Sequence, residues 1–112
     1  MSDKNTFAIL AMLEAIAKIE EFTNGISNAD EFYSNQLVFD ACLMNFIVIG
    51  EMTLRIDESL KNEKQEIDWY NIKGFRNIIA HDYLGIDVEE VWQIIKHRLP
   101  KLKAQLKEII SQ

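Results

Sequence analysis

The fold of this chain is decided by an apolar stretch in its middle, residues 37–50, with the sequence LVFDACLMNFIVIG. Its side chains are apolar at almost every position around a helix, so a helix formed by this stretch must be enclosed on most sides. A small helical domain rarely covers every face of one helix by itself. The stretch therefore predicts either the central helix of a bundle or a helix that packs partly against another subunit.

The last residue of this stretch is Gly50, which lies inside a predicted helix of about residues 35–60. Glycine in a helix interior costs about 1 kcal/mol relative to alanine. We therefore expect a second helix to approach closely at this point. Glu51 follows, and we interpret it as a carboxylate at the rim of the bundle, with a functional role as the alternative.

Helical patterns continue on both sides of the apolar stretch, and no alternating run of strand length is present. The chain holds four glycines and one proline, so little interrupts a helix. We expect a first helix with Ser2, Asp3 or Asn5 as its cap, and Asn24-Gly25 should end it. A capped turn at Ser27, the central helix, a helix capped by Asp68 and a last helix capped by Asp87 should follow. Pro100 should bend or break the last helix. The sequence predicts an all-α, up-down antiparallel bundle of four to five helices, with residues 1–112 in one domain.

Charge restricts the possible functions. The net charge of −6 argues against broad affinity for nucleic acid, because such affinity comes from many Lys and Arg contacts to phosphate. Any contact with RNA must therefore be local. Residues 96–107 contain five Lys or Arg residues, with His97 and no acid. This basic stretch predicts either a contact for nucleic acid or an acidic partner, or a solvated helix face, and we favour the solvated face.

The single cysteine, Cys42, lies in the apolar stretch and cannot form an internal disulfide, so we expect a buried, inert thiol in a reducing compartment. The N-terminus lacks a basic region followed by a long apolar stretch, and no segment approaches 18 uncharged apolar residues. We expect a cytoplasmic protein with no membrane contact. The two histidines, His81 and His97, are too far apart for a helical metal-binding pair, so we expect no metal and no cofactor.

Polar chemistry is concentrated in residues 76–83, with the sequence RNIIAHDY. Arg76 presents a planar fork of donors that suits phosphate oxygens, and the imidazole of His81 can take and give a proton near neutral pH. On a continuous helix Arg76 and Tyr83 would share a face, whereas His81 would lie about 140° from Arg76. Arg76 and His81 can line one groove only if the helix ends near His81 or if a second chain supplies the opposite wall.

These residue types predict a phosphate-handling site that could cleave RNA without a metal. His81 would deprotonate a 2′-hydroxyl or protonate the leaving oxygen, while Arg76 would stabilise the charge that develops on phosphorus. The alternative is structural. In that case Arg76 and Asp82 are solvated, His81 interacts with the last carbonyls of its helix, and Tyr83 is a core residue with its hydroxyl at the surface. Judged by residue types alone, the structural alternative is the commoner one.

The ordered motif from Arg76 and Asn77 to His81, Asp82 and Tyr83 resembles that of the HepT-like family in the HEPN superfamily, the toxin half of prokaryotic toxin–antitoxin pairs. The similarity covers nearly the whole chain. It includes the segment Ile49-Gly50-Glu51, Trp69, Asp87, Trp92 and the pair Leu99-Pro100. The chain departs from the family pattern at Met52-Thr53, where small residues often follow the Gly-Glu pair, and this departure concerns helix packing only.

The resemblance implies a HEPN-like homodimer, or a higher oligomer, in which the motif helices of two subunits face one cleft. It implies metal-independent endoribonuclease activity, with Arg76 and His81 catalytic and with Asn77 and Asp82 in support. The partner would be a minimal nucleotidyltransferase antitoxin of the MntA type, in a type VII-like toxin–antitoxin system. This antitoxin would transfer AMP to Tyr83, and the added negative charge would neutralise the phosphate site.

A dimer would also cover the apolar middle helix and bring two copies of His81 together, one as base and one as acid. Two other hypotheses stay open. The chain could be a catalytically inactive HEPN module that binds nucleotide, RNA or the partner nucleotidyltransferase, or it could be a structural bundle in which Tyr83 belongs to the core. The acidic composition favours these two hypotheses, and the clustering of Arg76, Asn77, His81 and Tyr83 favours the nuclease.

Overall fold

The structure is a computed structural model that describes residues 1–112. It consists of six helices and a short 3-10 turn, without strands, so the all-α prediction is confirmed. The first five helices are α1 (Asp3–Thr23), α2 (Ala29–Ser34), α3 (Gln36–Arg55), α4 (Glu58–Glu63) and α5 (Trp69–His81). After the 3-10 turn Tyr83–Gly85, the last helix comprises α6 (Val88–Gln93), a π-helical segment (Ile94–Arg98) and α7 (Leu99–Ser111).

The helix α3 is central, because it packs against α1 on one side and against α5 on the other. The far side of α1 packs against α7, and α2 connects α3 to α6. The buried apolar side chains form one continuous core, in which Ile9, Ile16, Phe32 and Leu106 are fully buried. The apolar stretch therefore forms the central helix of the bundle, as predicted.

Composition alone would also allow α3 to cross a membrane, because it is 20 residues long and contains an 18-residue window with a mean hydropathy of 1.7. The core helix of a soluble bundle has the same composition, and α3 has the neighbours of a core helix. Cys42 lies on its buried side, where burial raises the pKa of the thiol to about 12. The prediction of a buried, inert thiol is confirmed, because the thiolate is the reactive form of cysteine.

The prediction of one helix through residues 35–60 is wrong, because the chain leaves the helix at Ile56 and Asp57 before α4 begins. The cause is a tertiary contact with the start of α1. Asn5 Oδ1 accepts a hydrogen bond from Asp57 N at 3.0 Å, and Lys4 Nζ lies 3.1 Å from Asp57 Oδ1. These contacts satisfy the Asp57 backbone outside the helix, and nothing in the sequence near Asp57 reveals them.

The N-caps follow the sequence prediction with one correction. The side chains of Ser2, Asp68 and Asp87 each accept a hydrogen bond from the backbone N–H three residues later, at the starts of α1, α5 and α6. The cap of α2 is Asn28, whose side chain accepts a hydrogen bond at 2.9 Å, and the predicted cap at Ser27 is one residue too early.

The sequence predicts that Pro100 bends or breaks the last helix, and the structure shows that it does not break it. The helix continues through it by widening into the π-helical segment, in which Leu99 N donates to the carbonyl of Ile94. Proline has no N–H, and its ring crowds the preceding turn of an α-helix. The wider π turn immediately before Pro100 gives that ring space, so the helix stays continuous to Ser111.

Candidate functional site

Arg76 occupies the contact between α5 and α3. Its Nη2 forms an ion pair with Glu51 Oε1 on α3, and its Nη1 donates to Asn77 Oδ1 at 3.0 Å. Its Nε is buried without an acceptor in the chain. Only 26% of the Arg76 side chain is exposed, which excludes the alternative in which this arginine is free in solvent. The guanidinium is therefore held in one place by its neighbours.

Gly50 makes this position possible. A Cβ atom built on Gly50 would overlap the Arg76 Cβ and lie 2.7 Å from the Arg76 Cγ. The predicted close helix approach at Gly50 is thus confirmed, and the residue that approaches is the candidate phosphate-binding arginine itself. Glu51, interpreted from the sequence as a rim carboxylate, is 39% exposed and is the ion-pair partner of Arg76.

His81 lies at the free end of α5. It is the last residue of the helix, and its side chain is exposed to solvent. A helix end near His81 is one of the two conditions under which Arg76 and His81 could line one groove. Asn77 and Tyr70 are also exposed, and the helical repeat places them on the same side of α5 as His81. Arg76 instead faces α3, and no hydrogen bond joins it to His81. One protomer therefore does not bring the guanidinium and the imidazole together.

Tyr83 does not share a helix face with Arg76, because α5 ends at His81 and Tyr83 lies in the 3-10 turn. Its phenol reaches α3, where the hydroxyl donates to Asp40 Oδ1. Gln36 Nε2 donates to both groups, at 3.0 Å to Tyr83 Oη and at 2.9 Å to Asp40 Oδ1. The hydrogen bond raises the pKa of Tyr83 and lowers the pKa of Asp40. Tyr83 is 40% exposed and is not a core residue.

Asp82 belongs to the same turn. A Cβ atom on Gly85 would lie 2.5 Å from Asp82 Oδ2, so the carboxylate lies over the glycine that closes the turn. It makes no ion pair with Arg76. The supporting roles that the resemblance implies for Asp82 and Asn77 stay predictions. Of these two residues, only Asn77 contacts the guanidinium directly.

Sequence reasoning missed Gln36 and Asp40. Asp40 is the only acidic residue in the apolar stretch, and that isolation was the one available signal. An acid in an otherwise apolar helix needs a partner or solvent. Its partner, Tyr83, is 43 residues away in the chain, so only the packing of the turn on α3 reveals the pair.

A groove between α3 and α5 adjoins Tyr83. We call it the α3–α5 groove; it is lined by Asp40, Leu43, Met44, Ile47, Ile79, Ala80 and Tyr83. Met44 in its lining is 60% exposed, and Leu37, which the helical repeat places on the same side of α3, is 82% exposed. Exposed apolar side chains of this kind are typical of an interaction site.

The basic stretch lies elsewhere. It begins in the π-helical segment and continues in α7, which packs against α1 and not against α3. Lys103 forms an ion pair with Glu20 at 2.9 Å, and Lys96 lies 5.1 Å from the centre of the Trp92 ring. These contacts support the interpretation of the stretch as a solvated helix face. The stretch is therefore not part of the site around Arg76, which lies on α5.

Glu51 is expected to stabilise the fold through Arg76. The variant Glu51→Ala should lower the free energy of unfolding by about 1 kcal/mol, the upper end for a partly exposed ion pair. Glu51→Gln should cost less, because its amide oxygen still accepts from the guanidinium. The control is Glu14→Ala, which removes a 71% exposed carboxylate 3.6 Å from Lys18 within α1 and should change the midpoint little. Urea unfolding measures all three, and equal midpoints for Glu51→Ala and wild type would contradict the role of Glu51.

Comparison with known proteins identifies the family of this chain. A sequence profile described as "Ribonuclease HepT-like" matches residues 12–109. The chain is 32% identical to "Putative RNase MJ1380" of Methanocaldococcus jannaschii, over 95% of this chain and 97% of that protein. It is 32% identical to "Probable ribonuclease HepT" of Thermococcus cleftensis, over 86% of each chain. No solved structure matches the chain. The chain therefore belongs to the HepT-like ribonuclease family of the HEPN superfamily.

Proposed function

We propose that this protein is the toxin of a type VII-like toxin–antitoxin system and cleaves RNA internally without a metal ion. The observation that carries the proposal is the state of its two candidate catalytic residues. Arg76 is held by Glu51 and accommodated by Gly50, whereas His81 is exposed at the end of the same helix. A held cation and a free imidazole are the two groups that metal-free cleavage of a phosphodiester requires.

The chemistry follows from the donors that remain available. The guanidinium has five N–H groups, and Glu51 and Asn77 occupy two of them. Nε is buried, so one N–H on Nη1 and one on Nη2 remain to bind the phosphate oxygens as charge develops. One copy of His81 takes the proton of the 2′-hydroxyl, whose oxygen attacks phosphorus. A second copy of His81 protonates the departing 5′-oxygen, which leaves a 2′,3′-cyclic phosphate and a free 5′-hydroxyl.

The test is cleavage of a single-stranded RNA by the purified protein in the presence of EDTA. We expect internal cuts whose products carry 2′,3′-cyclic phosphate, at a rate unchanged by the chelator. Cleavage that stops with EDTA and returns with a divalent cation would contradict the metal-independent chemistry. RNA that stays intact under all conditions would instead favour the inactive binding module.

The site also leads us to propose a homodimer. Arg76 faces α3 and His81 faces solvent, so a second copy is needed to supply the opposite wall of a common cleft. The exposed apolar side chains around the α3–α5 groove, such as Leu37 and Met44, offer the surface for it. A two-fold contact centred on Leu37 and Met44, with Tyr83 left accessible at its rim, would bury them and bring the ends of both α5 helices together.

Met44→Glu is expected to convert the dimer to a monomer and to abolish RNA cleavage, because it places a charge inside the apolar contact. Phe7→Glu is the matched control, since Phe7 is 61% exposed on α1 and lies outside the groove. Sedimentation velocity measures the oligomeric state of both variants. A Met44→Glu protein that still sediments as a dimer would place the subunit contact elsewhere.

We further propose regulation in the cytoplasm by an antitoxin of the minimal nucleotidyltransferase type, which transfers AMP to Tyr83. The phenol hydroxyl supports this proposal, because Tyr83 is part-exposed and lies two residues beyond His81. A bulky anion there would obstruct RNA at the active site. Co-expression with the nucleotidyltransferase should raise the intact mass of the wild type by whole adenylate units and leave Tyr83→Phe unchanged. An equal mass increase in Tyr83→Phe would exclude Tyr83 as the acceptor.

The second candidate function is the inactive HEPN module that binds nucleotide, RNA or the nucleotidyltransferase. The net charge of −6 and the distance in the fold between the basic stretch and Arg76 favour it, because both weaken non-specific binding of RNA at the site. The cleavage assay above separates it from the nuclease.

A further inference from the structure

The chain contains three tyrosines, and their surroundings differ in one respect. The hydroxyl of Tyr83 is hydrogen-bonded to a carboxylate, that of Asp40, and also accepts from Gln36. Tyr33 and Tyr70 are more exposed, at 55% and 83%, yet their hydroxyls bond to no side chain of the protein. Exposure alone would therefore make Tyr70 the best target for a modifying enzyme, whereas the surrounding chemistry singles out Tyr83.

We propose that Asp40 is the general base for the modification of Tyr83, so that the toxin itself supplies the proton acceptor for its own inactivation. The inference rests on the proposed transfer of AMP to Tyr83. It adds a catalytic residue that belongs to the target and not to the transferase. Asp40 qualifies as catalytic because its Oδ1 contacts the oxygen that reacts.

The hydrogen-bond pattern explains why a base is needed. The bond to Asp40 raises the pKa of Tyr83, so the phenol keeps its proton until a reaction removes it. The same bond lowers the pKa of Asp40, which keeps the carboxylate ionised and able to accept. The proton must therefore leave during the attack, and the group already in contact with it is Asp40. Kinases use an aspartate in the same way for a substrate hydroxyl.

The step balances as follows. The Tyr83 oxygen forms a bond to the α-phosphorus of ATP while its proton moves to Asp40 Oδ1. The bond from the α-phosphorus to the oxygen bridging the α- and β-phosphates breaks, and pyrophosphate leaves. Asp40 then returns the proton to water. Gln36 assists by position only, because its amide holds both the phenol oxygen and the accepting carboxylate oxygen.

Proton transfer and positioning can be separated by two substitutions at one site. Asp40→Asn keeps an oxygen that accepts the phenol hydrogen bond but cannot take the proton. Asp40→Ala removes both functions. If Asp40 acts as base, both variants should slow the transfer by about 10²-fold, with the KM for the toxin unchanged in Asp40→Asn. Gln36→Ala should slow it less than Asp40→Asn does, because it removes two positioning hydrogen bonds, to Tyr83 Oη and Asp40 Oδ1, and leaves the proton acceptor in place.

The experiment follows α-labelled ATP incorporation by a purified minimal nucleotidyltransferase into each full-length toxin variant, with peptide mass spectrometry to locate the label. Circular dichroism and sedimentation confirm that each variant keeps its fold and oligomeric state. Equal rates for wild type and Asp40→Asn would overturn the role of Asp40 while the modification of Tyr83 stands. A wild type that takes label on Tyr33 or Tyr70, or takes none, would overturn the modification proposal itself and this inference with it.

Discussion

Replacing His81 by alanine is expected to slow RNA cleavage by about 10²–10⁴-fold, the range that one general acid or base contributes. Both copies of the residue are lost at once from the dimer that we propose, so the effect should lie toward the upper end. His81 is exposed at the end of α5 without a hydrogen-bond partner, so its removal should leave the stability of the fold unchanged. The loss would therefore be purely chemical.

Arg76→Ala should cost about 10²–10³-fold, as for other groups that stabilise transition-state charge. Arg76→Lys restores the charge but not the planar fork, so only part of the rate should return. The matched control for His81 is His97→Ala, which removes the chain's other histidine from the exposed side of the π-helical segment. Initial rates on one labelled RNA measure the series. Full activity in His81→Ala would end the proposal that this residue transfers protons.

The second large effect, on both the free energy of unfolding and the cleavage rate, is expected at Gly50, a buried residue that is not a candidate catalytic group. Gly50→Ala should lower the free energy of unfolding by up to about 2 kcal/mol, because overlap with Arg76 costs about 1–3 kcal/mol. The gain in helix propensity, up to about 1 kcal/mol, offsets only part of this cost. The added methyl group also displaces Arg76. A displacement near 1 Å at a catalytic group should slow cleavage by about 10²-fold.

Gly74→Ala is the control for this substitution, since Gly74 is also a glycine within a helix. A Cβ on Gly74 meets nothing within 4 Å. The same change should therefore stabilise the protein by up to about 1 kcal/mol through helix propensity alone. The thermal unfolding temperature should fall for Gly50→Ala and rise for Gly74→Ala when the two variants are measured side by side. The initial cleavage rate should fall for Gly50→Ala only. A stabilised, fully active Gly50→Ala protein would show that α5 does not depend on this close approach.

Features that depend on neighbouring residues can be predicted from the sequence, and features that depend on contacts between distant residues cannot. The caps at Ser2, Asp68 and Asp87 and the end of α1 near Gly25, whose φ is +87°, follow from local chemistry, and the sequence predicts them. The hydrophobic pattern of the apolar stretch likewise predicts an enclosed α3, and the central position in the bundle is one of the two placements that it allows. The break at Asp57 depends on Asn5, which is 52 residues away, and the sequence prediction fails there.

The chemical groups of the candidate site can be predicted from the sequence, because the motif from Arg76 to Tyr83 is contiguous and carries the family resemblance. The contacts of each group depend on how the helices pack. This packing pairs Arg76 with Glu51, leaves His81 in solvent and turns Tyr83 onto Asp40. The physical reason is that hydrogen bonds and ion pairs act over a few ångströms in space, whatever the separation along the chain.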